Sequence, residues 1–157
     1  MKLKKCFENW GLTKLKISIG FLDTEWAPQE ADRDAAWELY VEMLTRIVTQ
    51  PLAITDGDEQ TALDSVHALF GITREILRRK GRDCIQFSKI AVIVLNQIVR
   101  PFTAKWHKLS LTRAFEHPSQ RQAFRQELEA LQIDLRNYAK ALADIAQVED
   151  LTGLAFE

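Results

Sequence analysis

The chain has 157 residues, 46% of them hydrophobic and 27% charged, with a formal net charge of -1. That length and balance give one globular domain with a sizeable core, and exclude a disordered polar chain or one drawn as a whole to nucleic acid or anionic lipid. Cys6 and Cys84 lie outside any CxxC pair, which argues against a disulfide framework or a structural zinc site and fits a reducing, cytoplasmic setting.

The N-terminal MKLKKCFENWGL is basic but lacks the apolar region and small-residue cleavage site of a secretory signal. Residues 1–16 carry five lysines against Glu8 alone, whereas residues 21–42 carry seven carboxylates against Arg33 alone, so the two fields are expected to attract across the fold. Between them KLKISIGF, 14–21, alternates polar residues with Leu15, Ile17, Ile19 and Phe21, the pattern of a short strand or extended arm.

Pro28 and the acidic stretch Glu30 to Asp34 mark a helix start, and Trp37, Val41, Leu44 and Val48 form its apolar face up to Pro51. After the turn ITDGD, Asp58 is the expected N-cap of a second helix that buries Leu63, Val66, Phe70, Thr73 and Leu77, with Leu69 and Ile76 widening the face, and stops at RRKG. Residues 82–107 read as a third helix through Ile90, Val94 and Ile98, with Pro101 expected to kink or end it near Val99 or Arg100. Its apolar run, IAVIVLNQIV, is half the length needed to span a bilayer, so no membrane partner is expected. The last helix has the clearest pattern: Phe124, Leu128, Leu131, Leu135, Tyr138, Leu142 and Ile145 alternate at spacings of four and three, and Thr152-Gly153 follows its end. Leu151, Leu154 and Phe156 in the tail either fold back on the body or form a small docking segment.

Four such helices cover one another most simply as an all-α, antiparallel four-helix bundle over residues 29–157, preceded by an extended or short-strand N-terminal arm, 1–28. Function is less legible. His67, His107 and His117 form no HExxH or ExxH arrangement, and no GxGxxG, GxxxxGK or GxSxG occurs, so no metal or other cofactor is expected. Asp64 and His67 stand at i,i+3, the spacing of an ordinary surface pair.

Three surfaces compete for a functional role. Trp10, Trp26, Trp37 and Tyr40, beside the acidic field, suit an aromatic docking surface for a basic protein partner or for self-association, against the plain alternative of core packing. Arg78, Arg79, Lys80 and Arg82, with Lys105 and Lys108, are candidate anion-binding groups, although the two clusters should lie most of a helix length apart. RPFTAKWH, 100–107, separates Arg100 from His107 by six residues and is the third candidate.

This last segment resembles the R-x(4–6)-H pattern of HEPN-type ribonucleases, which are also small helical bundles. The resemblance implies metal-independent RNA cleavage at a dimer interface, with Arg100 on the scissile phosphate and His107 in proton transfer. WELYVEMLTRI, HALFGITREILRRKG, LNQIVRPFTAKWH and YAKALADIAQVEDL are similar to segments of small uncharacterised bacterial helical proteins, over residues 21–152. That similarity implies a bacterial accessory of a defence or signalling system and transfers no activity. On balance the sequence favours a helical protein-interaction or assembly module, with the ribonuclease and a non-catalytic anion or nucleic-acid binder as its alternatives.

Overall fold

A computed structural model describes residues 1–156, with side chains to Leu154. It contains helices α1 (Leu3–Trp10), α2 (Ile19–Leu22), α3 (Glu30–Leu44), α4 (Glu59–Lys80), α5 (Ile85–Val94), α6 (Arg100–Ser110) and α7 (Pro118–Ala146). Short 3₁₀ turns lie at Gly81–Cys84, Ala114–Glu116 and Thr152–Phe156. The chain is all-α, and no strand forms among the described residues.

Helix α7 buries its entire predicted seam, from Phe124 to Ile145. Against it packs α3, whose buried stripe is Ala35, Ala36, Leu39, Tyr40 and Met43. This corrects the expected face: Trp37 and Val41 remain 47% and 41% exposed, while α3 ends at Leu44 and Val48 is buried in the following turn. The helix has apolar residues on two sides, and the side bearing Ala35, Ala36, Leu39, Tyr40 and Met43 is the one the other helices cover, leaving Trp37 outside.

Asp32 is fully buried and joins two helix starts. Its Oδ2 accepts the Gln29 N–H at 2.7 Å, closing the capping box of α3, while Oδ1 accepts the Phe87 N–H of the first turn of α5 at 2.8 Å. Backbone donors at helix N-termini are well suited to a carboxylate, and the two dipoles add to the hydrogen bonds. The loop after α3 is strapped to α7 in the same manner from the other side. Gln132, also buried, donates to the carbonyls of Ile47 and Gln50 at 2.6 and 2.7 Å, and Arg125 donates to those of Ala53 and Asp56 while pairing with buried Glu59. Asp58 caps α4 by accepting the Thr61 N–H at 2.9 Å, and α4 stops at Gly81, whose φ of 71° favours glycine.

Residues 85–110 run on through Pro101 without ending. A π-helical turn, Leu95–Val99, precedes the proline, and the Arg100 N–H donates to the Leu95 carbonyl five residues back. A wide turn of this kind lets the helix accommodate a ring that has no N–H to give and would crowd a regular α-turn. Of the two expected effects of Pro101, the helix end at Val99 or Arg100 does not occur; the departure from α geometry falls on the turn before the proline.

The N-terminal arm contains two helices, α1 and the short α2, joined by a segment without regular structure. Leu3, Cys6, Phe7 and Trp10 of α1 are buried and the helix lies against α7, with Trp10 Nε1 donating to Asp144 at 2.8 Å. Gly11 ends α1 at φ 74°, where a Cβ would also press to 3.2 Å from Asn137. Residues 14–18 are extended, but instead of a strand partner Lys16 finds the Gln97 side chain, which accepts its N–H at 2.7 Å and donates to its carbonyl at 2.9 Å. The segment 19–22 is a helical turn. At the other end, Tyr40 Oη accepts the Leu151 N–H at 2.6 Å and donates to Asp150 at 3.1 Å, so the start of the tail folds back on α3; the Phe156 side chain lies outside the described residues.

Removing the shared cap should be costly. Asp32→Ala leaves buried amides of two helices without acceptors, and urea unfolding is expected to show a loss of about 3–5 kcal/mol. Asp32→Asn keeps one acceptor oxygen and should lose less.

Candidate functional site

The segment that remains helical through Pro101 places Arg100 and His107 two turns apart on one face of α6, about 10 Å along its axis. That face lies against α4, and the contacts between the helices are aromatic and cationic. The Arg100 guanidinium sits over the Phe70 ring, 4.6 Å from its centroid, and the His107 ring meets the His67 ring edge-on with centroids 4.8 Å apart. Phe70 also touches His67, at 5.7 Å, so the four side chains form a continuous strip.

Arg100 is held by neutral groups. Its Nε donates to Asn96 Oδ1 at 2.9 Å, while the Asn96 amide donates back to the Val92 carbonyl at 3.0 Å. Asn96 belongs to the π-helical turn, so the device that accommodates Pro101 also supplies the residue that orients the guanidinium. Arg33, Arg46, Arg79, Arg121 and Arg125 each pair with a carboxylate; Arg100 makes no such pair among the described residues. An arginine fixed in direction with its charge uncompensated is prepared for an anion, and the aromatic ring beneath it adds attraction without neutralising it. Arg100 and His67 are exposed and His107 is half-buried.

The other sequence-selected residues are dispersed. Trp10 and Tyr40 are buried and hydrogen-bonded within the chain, and Trp26 is half-buried against Trp10 at 5.7 Å. Trp37 alone of the four presents a broad exposed surface, walling a groove of about 580 Å³ between α3 and α4 with Val41, Ile72 and Gly71. Two of the four cations at the end of α4 are committed to α3: Arg79 grips Glu38 bidentately at 2.6 and 2.8 Å, and Lys80 reaches Glu38 at 3.2 Å. Arg78 and Arg82 stay exposed without an ion pair among the described residues. Lys105 pairs with Glu127, which also accepts the Trp106 indole N–H, and Lys108 is exposed. The acidic N-terminal field is thus answered mainly by the last turn of α4, while the lysine-rich segment contributes Lys2, with the N-terminus, to Glu25.

His67 and Asn96 were not distinguished as site residues by any motif. His67 lies 40 positions from His107 and joins it only because α4 packs on α6. Among the described residues no three His, Cys, Asp or Glu side chains gather as for a metal ion, and no helix is long and apolar enough to cross a membrane. No protein-family model matches the chain, and neither a curated protein nor a solved structure is significantly similar to it.

The Glu38 contact yields a pH dependence. Hydrogen bonds from Arg79 chiefly, then Lys80, hold its carboxyl below the usual glutamate range despite partial burial. Its stabilising contribution is therefore present above that range and is lost as pH falls through the lowered folded-state value. Because Arg79 is half exposed, solvent screening keeps the contribution below about 1 kcal/mol. Glu38→Gln should cost no more than that at pH 7 and flatten the acid side of a stability-versus-pH curve below about pH 4.

Proposed function

We propose that the α4–α6 face is the working surface of this protein and that it cleaves single-stranded RNA without a metal ion, with Arg100 binding the scissile phosphate and His107 transferring a proton. The observation that carries this reading is the state of Arg100: oriented by Asn96 and Phe70, exposed, and paired with no carboxylate among the described residues. His107 on the same face supplies an imidazole, a side chain that can both accept and donate a proton. The weak R-x(4–6)-H resemblance agrees with this assignment, and the supporting scaffold is taken to be an antiparallel four-helix bundle. The reading places the protein in the cytoplasm, as a bacterial accessory of a defence or signalling system.

A second reading is favoured by the groove between α3 and α4. Trp37 and Val41 stand exposed beside Gly71, whose absent side chain leaves open space. A partner helix, or a second copy of the chain, would cover these residues in an interaction or assembly module. Such a module needs neither Arg100 nor His107.

Incubation of the purified protein with labelled single-stranded RNA in EDTA separates the two readings. Cleavage is expected, with Arg100→Ala and His107→Ala each reducing the rate by roughly 100-fold or more while leaving the thermal midpoint nearly unchanged. Absence of both cleavage and RNA retention would overturn the nuclease reading and leave the α3–α4 groove as the working surface. Retention without cleavage, weakened by salt but not by these substitutions, would instead indicate a non-catalytic basic surface.

A further inference from the structure

His67 is on a different helix from the Arg100–His107 segment, yet its ring is in direct contact with His107 and shares Phe70 with Arg100. The ring planes meet at 76°, an edge-to-face contact that leaves both imidazoles at one end of the strip. His67 is exposed and accepts no described hydrogen bond or ion pair that would fix it to a structural task. Asp64, one turn earlier, is occupied in accepting the Gln60 amide at 2.9 Å. The charged groups sharing the two helix faces with the pair are Asp64 and Arg74 on α4, at i-3 and i+7 from His67, and Arg100 on α6.

We propose that His67 is a second catalytic residue of this centre, so that the His67–His107 pair performs both proton transfers of RNA transphosphorylation beside Arg100. This rests on the RNA-cleavage reading and extends it from one proton-transfer group to two. In the step, the ribose 2′-oxygen forms a bond to the adjacent phosphorus as its proton passes to the neutral imidazole. The bond from phosphorus to the 5′-oxygen of the next nucleotide breaks, and the protonated imidazole gives that oxygen its proton. Arg100 stabilises the charge on the non-bridging oxygens. The products are a 2′,3′-cyclic phosphate and a 5′-hydroxyl; no water, metal or redox partner is consumed. One imidazole must begin neutral and the other protonated, which gives the rate a bell-shaped pH dependence.

The test compares wild-type protein with His67→Ala, His67→Gln, His107→Ala and Arg100→Ala on the same labelled single-stranded RNA, measuring kcat, KM, product ends and the pH–rate profile. Thermal melts identify any variant that fails to fold, and the glutamine variant preserves bulk at the His107 contact while removing proton transfer. The expected result is a cyclic-phosphate product from wild type, a fall in kcat of roughly 100-fold or more in both His67 variants with little change in KM, and loss of one limb of the bell. If wild type cleaves and the Arg100 and His107 variants do not, but folded His67→Gln retains kcat within about threefold and keeps both limbs, this inference fails and the one-histidine reading stands. If wild type leaves the RNA intact, both fail.

Discussion

The buried carboxylate of Asp32 is the constraint on which the helical arrangement depends. Burying a carboxyl group is costly unless its oxygens are hydrogen-bonded, and here both accept from backbone amides at the starts of α3 and α5. Because each amide belongs to a rigid first turn, the carboxylate sets the position of α3 relative to α5. Helix α3 touches α4, α5 and α7, so an error at this junction would propagate through three packed faces. Gln132 and Arg125 tie a longer loop to α7 in a related way, Gln132 donating to the part-buried carbonyls of Ile47 and Gln50 and Arg125 to the exposed one of Ala53.

Once α3 and α5 are joined, continuity of the α5–α6 helix determines what faces α4. Pro101 would end a regular helix and leave His107 on a separate segment. The π-helical turn instead carries the axis onward and contributes Asn96 and Gln97, one turned to Arg100 and the other to the backbone of Lys16. A local departure from α geometry thereby ties together the N-terminal segment, the proline and the guanidinium. Such turns often occur at functional sites, and here the hydrogen bonds tie this one to Arg100 and to the backbone of Lys16.

Regular periodicity made part of this architecture readable in the sequence. The α7 seam, the Asp58 cap and the RRKG stop all appear where spacing and capping chemistry place them, because each depends on neighbours within one or two turns. The face of α3 was misread since Trp37 and Val41 form as regular a stripe as Ala36, Leu39, Tyr40 and Met43; choosing between them requires knowing which side the other helices cover. Alternation in residues 14–21 resembled a strand because period-two burial also arises when an extended segment rests on a helix. For the candidate site, the Arg100–His107 spacing was visible within one helix. His67 was not, because the contact that recruits it is tertiary.

The role proposed for Arg100, pre-oriented and uncompensated, is to receive phosphate on the α4–α6 face. It is tested most directly by side-chain and backbone NMR during titration with a single-stranded oligonucleotide carrying 2′-O-methyl riboses, which cannot transphosphorylate. The account predicts saturable shifts of Arg100 Nε–H, Asn96 and the ring protons of His67 and His107, with much smaller changes at Arg78 and Arg82. Shifts centred on Arg78 and Arg82, or no saturable shift at Arg100, would contradict it.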